Sequence, residues 1–215
     1  MNQYETVRIT DIIEHNPKLR SFVFDRKLPS KTGQFMMLWL PGTDEKPFSL
    51  SAPDRITVRQ YGDFTAQLFK KEIGDMLHIR GPYGQGFPDH VKVVAIGGGC
   101  GIAPLLHHIA TKKELKGFVA ACRTKSEFPF LDDMSNECGL IAATDDGSFG
   151  VKGFATDVDI PIDGSYHYHI CGPEIMMKTV AEKLTADGIS ADHIWLSLER
   201  YMKCAMGVCG QCCMD

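Results

Sequence analysis

Three cysteines near the end of the printed sequence have the spacing of iron–sulfur ligands. Cys204, Cys209 and Cys212 follow the pattern C-x4-C-x2-C, with which thiolates wrap a loop around a [2Fe–2S] cluster that needs four ligands. Cys213 directly follows Cys212, and neighbouring residues rarely aim both sulfurs at one iron. We therefore expect a fourth cysteine after Asp215, so that the printed chain is truncated.

A glycine-rich turn in the second half of the chain has the composition of a phosphate-binding loop. An apolar run over residues 91–96 predicts a strand buried on both faces, and four of the next five residues are glycine. Glycine lets a backbone approach a ligand closely, and the helix predicted over 103–109 offers N-terminal N–H groups to a pyrophosphate. The alternative is a tight turn without a ligand, since the pattern is not G-x-G-x-x-G.

A second motif, at residues 171–173, ends a later predicted strand and opens the next helix. Ligands of open parallel sheets lie beyond the carboxyl ends of the strands, so both motifs point at one crevice. Cys171 alone favours a small buried hydrophobe, and its position beside the expected ligand edge makes a functional role equally well supported. The residues predicted to line this crevice are Gly97, Gly98, Gly99, Gly101, Ile102, Ala103, Pro104, Cys171, Gly172 and Pro173.

The elements that must position these motifs fall into two groups. Short runs rich in β-branched or aromatic residues, separated by Pro, Gly and Asp, occupy residues 1–90 and predict an antiparallel barrel. Strands that alternate with helices over 91–198, including a helix at 175–187, predict a doubly wound parallel sheet. Residues 199–215, here called the cysteine segment, form a third part.

Composition limits the classes of function. The net charge of −4 argues against nucleic acid as a partner, which requires a concentrated basic patch. The longest apolar run, residues 35–40, is too short to cross a membrane, and the first residues lack the layout of a signal peptide. We expect a cytoplasmic protein whose reduced cysteines serve metal or redox chemistry.

Two further groups of residues carry weaker signals. Residues 46–49 combine a cation, an aromatic ring and a hydroxyl, and residues 62–65 precede a short helix predicted over 66–69. Both could contact a phosphate or a planar heterocycle, but such stretches are common in strands and turns. The pairs His107 and His108, and His167 and His169, are best explained as structural, since neither offers a third metal ligand.

Taken together, these motifs resemble the ferredoxin–NADP reductase superfamily. The whole chain is most similar to the electron-transfer subunit of the heteromeric, NAD-dependent dihydroorotate dehydrogenase. That family introduces a C-terminal [2Fe–2S] segment by Ser-Leu/Met-Glu-x-x-Met-x-Cys, which stands here at residues 197–204. Residues 143–148 also fit this family.

The resemblance implies a flavin site in the barrel and assigns residues to it. It places Ser49 near the flavin and Lys46 near an FAD phosphate, where arginine is usual; lysine keeps the charge and loses the planar fork. The residues assigned to FAD are Lys46, Pro47, Phe48, Ser49, Thr57, Val58, Arg59, Phe64 and Thr65. Cys204, Cys209 and Cys212 would bind the cluster, and the crevice would bind NAD.

The resemblance also implies a function. NADH would reduce FAD, and single electrons would leave through the cluster to an FMN-containing catalytic subunit that interconverts dihydroorotate and orotate in pyrimidine biosynthesis. No side chain of this chain is expected to act as a general acid or base, because the cofactors carry the chemistry. Two alternatives remain: a ferredoxin- or sulfur-linked NAD(P)H reductase subunit, and a non-redox module that binds zinc through its cysteines.

Overall fold

The structure, a computed structural model, describes residues 4–212. Its first part is a closed antiparallel barrel with strand order β1-β2-β5-β4-β3-β6, as the short alternating runs predict. The elements of this part are β1 (Glu5–Asn16), β2 (Leu19–Phe24), β3 (Phe35–Trp39), β4 (Glu45–Ala52), β5 (Arg55–Arg59), α1 (Gly62–Leu68) and β6 (Met76–Tyr83).

Alternation along the strands fills the barrel. In β5, Ile56 and Val58 are buried, whereas Thr57 and Arg59 between and after them are half-exposed. This period of two places one apolar row in the core and leaves the other row for contacts outside it.

The second part is a six-stranded parallel sheet with order β10-β9-β8-β7-β11-β12. Its elements are β7 (Val93–Gly98), α2 (Ile102–Ala110), β8 (Leu115–Cys122), α3 (Leu131–Glu137), β9 (Leu140–Thr144), β10 (Val151–Lys152), β11 (His167–Cys171), α4 (Glu174–Ala186) and β12 (Ile194–Ser197). The strand order reverses at β7, which pairs with β8 on one side and with β11 on the other.

Apolar cores cover both faces of this sheet, so the predicted doubly wound arrangement is confirmed. Residues of α2 and α3 pack with Phe118 of β8 on one face. Residues of α4 pack with Val119 of the same strand on the other face. Helix α2 also contacts barrel strand β4, and it is consequently buried along most of its length.

Several elements differ from the sequence predictions. Helix α1 begins at Gly62 rather than at residue 66, so residues 62–65 belong to the helix and do not precede it. Strand β7 begins at Val93, because strand pairing starts there, and Val91 is 87% exposed. Helix α3 is absent from the sequence predictions, because its seven residues contain only the apolar pair Leu131 and Met134.

After β12 the chain runs without helix or strand through residues 198–212. The barrel ends at Tyr83 and the sheet begins at Val93, and the domain boundaries at 90 and 198 remain predictions. Among residues 4–212, none of the helices is long and apolar enough to span a membrane.

Candidate functional site

Strands β4 and β5 diverge where the flavin-assigned residues lie. Their ladder pairs Leu50 with Ile56 and Ala52 with Arg55, whereas residues 45–49 pair on their other side with β3. The residues assigned to FAD on both strands therefore lie beyond the end of the shared ladder. A planar group could enter between the two strands there.

Phe48 and Phe64, from two elements, pack against the barrel core. The ring of Phe48 in β4 stacks on that of Phe64 in α1, with 5.8 Å between centroids and 30° between planes. Thr65 does not offer a free hydroxyl, because its Oγ1 accepts from Tyr61 N at 2.6 Å and donates to Gly62 O at 3.1 Å. Its hydroxyl therefore holds the first turn of α1.

The flavin-assigned residues of β4 and β5 differ in what they can offer a ligand. Lys46 is half-exposed and lies 3.3 Å from Asp44, so its ammonium can still reach a phosphate. The Thr57 hydroxyl lies 2.8 Å from the hydroxyls of both Ser21 and Ser51. Val58 has a buried side chain in the barrel core, which leaves only its backbone for a ligand.

Arg59 connects the barrel to the parallel sheet. Its Nε donates to Cys100 Sγ at 3.2 Å, in the glycine-rich turn, and its Nη2 lies 3.2 Å from a carboxylate oxygen of Glu127, which follows β8. The bond to Glu127 helps to raise the pKa of Arg59 against the opposing effect of burial. Arg59 thus brings the flavin-assigned strand into contact with the glycine-rich turn and with the loop after β8.

The two predicted crevice motifs lie side by side. Gly97 pairs with Cys171 across β7 and β11, at the point where the strand order reverses. A Cβ on Gly101 would collide with the Cys171 carbonyl and lie 2.5 Å from Gly172 Cα. This close approach explains the glycine, and it places both motifs at the position where doubly wound sheets bind nucleotides.

The remaining crevice residues contribute backbone rather than side chains. Ile102, Ala103 and Pro104 form the first turn of α2, and all three are buried. Pro104 occupies the first turn as predicted. Burial raises the pKa of the Cys171 thiol to about 12, so this residue is a small buried hydrophobe and not a thiolate at neutral pH. Pro173 directly precedes α4.

The three predicted cluster ligands share one irregular loop. The N–H of Met206 donates to Cys204 Sγ at 3.4 Å, and this bond, with donation from Cys209, lowers the pKa of the Cys204 thiol to about 6. Cys209 is exposed and Cys212 half-buried. Across residues 4–212, no three His, Cys, Asp or Glu side chains converge as metal ligands do. Cys213 lies outside the described residues.

Three of the four histidines predicted to form two separate structural pairs, His107, His108 and His169, belong to one hydrogen-bond network. His108 Nε2 lies 3.1 Å from His169 Nδ1. The Thr32 hydroxyl lies 3.2 Å from both His107 and His108, and Ser30 contacts His107 at 2.9 Å. Burial lowers the pKa of His107 to about 4 and that of His108 to about 3. Neutral imidazoles thus join the barrel to α2 and β11.

Sequence reasoning did not find Arg80, a residue of β6 that contacts the cysteine segment. Its guanidinium donates to Cys204 O at 2.9 Å and to Glu45. No local pattern marks such a residue, because its partners are distant in sequence. The only available signal is its charge. Leu77 and Ile79 are buried at alternate positions of β6, and Arg80 follows them with a charged side chain.

The fold places the chain in the class of two-domain reductases that combine a flavin-binding barrel with a nucleotide-binding sheet. The NADH-dependent reduced ferredoxin-NADP oxidoreductase superposes with a TM-score of 0.81 at 25% identity, over 99% of this chain and 83% of that one. The FAD/NAD-binding domain of nitric oxide dioxygenase from Vibrio cholerae superposes with a TM-score of 0.77 at 20% identity, over 91% and 98%.

Sequence relatives identify the family within this class. A probable dihydroorotate dehydrogenase B (NAD(+)) electron transfer subunit of Methanocaldococcus jannaschii is 42% identical over 97% of this chain and 82% of its own length. The so-named protein of Thermococcus kodakarensis is 40% identical over 97% and 90%. No protein-family model matches the chain. The chain belongs to the family of dihydroorotate dehydrogenase B electron transfer subunits, which confirms the resemblance.

Proposed function

We propose that this chain transfers electrons between NAD(H) and an FMN-containing catalytic subunit of dihydroorotate dehydrogenase, as one part of a hetero-oligomer. The observation that carries the proposal is the 42% identity, over 97% of the chain, to a relative named as that enzyme's electron transfer subunit. Its cofactors would be FAD, a nicotinamide nucleotide and a [2Fe–2S] cluster. Pyrimidine biosynthesis follows from that enzyme's substrate.

The residues present fit the two nucleotides. FAD, when bound, allows an electron pair from a nicotinamide to leave as single electrons. The gap between β4 and β5 suits a planar heterocycle. Lys46 offers a charge to a phosphate, without the bidentate geometry of arginine. The backbone near Gly101 suits a second nucleotide.

The donor chemistry of the cysteine segment fits a [2Fe–2S] cluster. Cys204, Cys209 and Cys212 supply three thiols, the ligand type of such clusters. Backbone N–H groups around Cys204 lower its pKa, and hydrogen bonds to the ligand sulfurs are among the features that set cluster potentials. These residues offer three of the four ligands that such a cluster requires.

The cofactor content tests the proposal directly. The full-length gene product should be yellow-brown, release FAD on denaturation, contain iron and acid-labile sulfide in equal amounts, and be bleached by NADH without oxygen. A colourless protein that contains zinc would support the zinc-module alternative and contradict the proposal. A comparison of NADH with NADPH in the bleaching reaction would establish the preferred nucleotide.

A second candidate is a reductase subunit that exchanges electrons with ferredoxin. The structural similarity to the NADH-dependent reduced ferredoxin-NADP oxidoreductase favours it, with a TM-score of 0.81. The partner distinguishes the two functions. Tagged protein isolated from its own cells should copurify with dihydroorotate-dependent NAD⁺ reduction. Isolation with ferredoxin-linked activity alone would support the second candidate and refute the first.

A further inference from the structure

We propose that Arg80 is a positioning residue that fixes the backbone of the first predicted cluster ligand against the flavin-assigned strand of the barrel. The proposal deepens the proposed function, on which the role of the cluster rests. Arg80 lies on β6, outside every motif that the sequence marks.

All five N–H groups of the Arg80 guanidinium have acceptors. Nε and Nη2 donate to the two carboxylate oxygens of Glu45 at 2.5 and 2.7 Å. Nη1 donates to the hydroxyl of Tyr83 at 3.1 Å and to Cys204 O at 2.9 Å, and Nη2 also donates to Lys203 O at 3.3 Å. A lysine has three donors and no planar fork, and it could not make this set of bonds.

The ion pair between Arg80 and Glu45 is largely shielded from water. The side chains of Arg80 and Glu45 are 12% and 17% exposed, and hydrogen bonding to Glu45 raises the pKa of Arg80. Removing one partner of such a pair would leave the other charge poorly solvated. The bidentate contact also fixes the orientation of the guanidinium, so that Nη1 and Nη2 remain directed at the cysteine segment.

The described residues of the cysteine segment have few hydrogen bonds to the rest of the protein. Residues 199–212 contain no helix or strand. Within the described part of the chain, both hydrogen bonds that join these residues to the rest of the protein are donated by Arg80. The hydrogen bonds that hold the described part of the segment on the barrel therefore come from this one side chain.

The contact has a consequence for electron transfer. Glu45 directly precedes Lys46, the first flavin-assigned residue of β4, and Cys204 is the first predicted cluster ligand. One guanidinium on β6 thus joins the first residue of the flavin-assigned strand β4 to the ligand loop. Residues that hydrogen-bond to a ligand residue help to fix its orientation, and with it the geometry of the metal site. Loss of Arg80 should affect the cluster and spare the reaction with NADH.

The test compares Arg80→Lys with Arg20→Lys in the full-length protein. Arg20 is a matched control, because it also pairs with a glutamate, Glu14, and donates to a backbone carbonyl, that of Phe69. In Arg80→Lys we expect amide hydrogen exchange in residues 203–206 to rise about tenfold. We also expect slower cluster reduction, an altered electron paramagnetic resonance signal of the reduced cluster, and unchanged flavin reduction by NADH.

The control should match the wild type in all four measurements. Equal exchange and equal cluster reduction in Arg80→Lys and wild type would overturn the proposal, as would an equal slowing of flavin reduction. If Arg80→Lys does not fold, Glu45→Gln removes the same ion pair and must give the same pattern for the proposal to stand. If the wild type holds no cluster, the proposed function fails, whereas hydrogen exchange still decides the role of Arg80.

Discussion

Replacement of Gly101 by alanine tests the close contact between the two crevice loops. A Cβ at this position would meet the carbonyl group of Cys171 and lie 2.5 Å from Gly172 Cα, whereas ordinary contacts begin at 3.4 Å. These neighbours are backbone atoms, which cannot rotate away. Packed interiors accommodate added atoms poorly. The loops must therefore separate by about 1 Å, the difference between this distance of 2.5 Å and an ordinary contact of 3.4 Å.

The expected cost follows from overpacking. Insertion of a methyl group into a packed interior destabilises a protein by about 1–3 kcal/mol. Because the added methyl group meets backbone atoms, we expect Gly101→Ala to lower the free energy of unfolding by about 3 kcal/mol. A displacement of about 1 Å at a positioning element can also slow a reaction about a hundredfold. We therefore expect Gly101→Ala to lose most of its flavin reduction by NADH and to retain FAD, which the barrel is proposed to hold.

Urea unfolding and anaerobic flavin reduction by NADH measure the two effects. Gly164→Ala is the matched control, because a Cβ there has nothing within 4 Å and its φ is not positive. The control should stay within about 0.5 kcal/mol of the wild type, the range usual for surface substitutions. If Gly101→Ala is as stable and as active as Gly164→Ala, the close approach of the loops is not a feature of the protein.

Three further predictions concern pH, thiol reactivity and flavin affinity. Burial lowers the pKa of His107 from 6.5 to about 4. The stabilising contribution of His107 is therefore complete above pH 6.5 and is lost as pH falls towards 4. Over this pH range the free energy of unfolding, measured with urea, should decline less in His107→Gln than in the wild type, by up to about 3 kcal/mol. Iodoacetamide should label exposed Cys100 before buried Cys122, whose pKa burial raises to about 12, and NAD⁺ should slow the labelling of Cys100 as measured by mass spectrometry. Lys46→Ala should raise the FAD dissociation constant about tenfold or more by fluorescence titration, whereas Lys46→Arg should not.

The sequence was sufficient to predict both folded parts because their signals are local. Alternation marks β5, and a continuous apolar run followed by glycine marks β7. Helix α1 shows the limit of this reasoning. Gly62 has a positive φ of 79°, which glycine adopts without strain and which is usual in turns, yet the helix begins at this residue.

The candidate site was predicted less completely than the fold. Adjacent strands bring residues 97–104 and 171–173 together, as the rule for parallel sheets predicts. Val58 was assigned to FAD from its position in a motif, but its side chain belongs to the barrel core. A motif specifies a stretch of backbone, and the alternation of the strand then decides which side chains face a ligand.

The contacts that join the three parts could not be predicted, because they link residues distant in sequence. Arg59 and Cys100 are 41 residues apart, and Arg80 and Cys204 are 124 apart. Both arginines lie on barrel strands. The guanidinium of Arg59 contacts the glycine-rich turn, and that of Arg80 contacts the cysteine segment. The barrel is therefore the common partner of the nucleotide crevice and of the cysteine segment. Substitutions of Arg59 and Arg80 should accordingly affect opposite ends of the proposed electron path, although neither arginine belongs to the glycine or cysteine motifs.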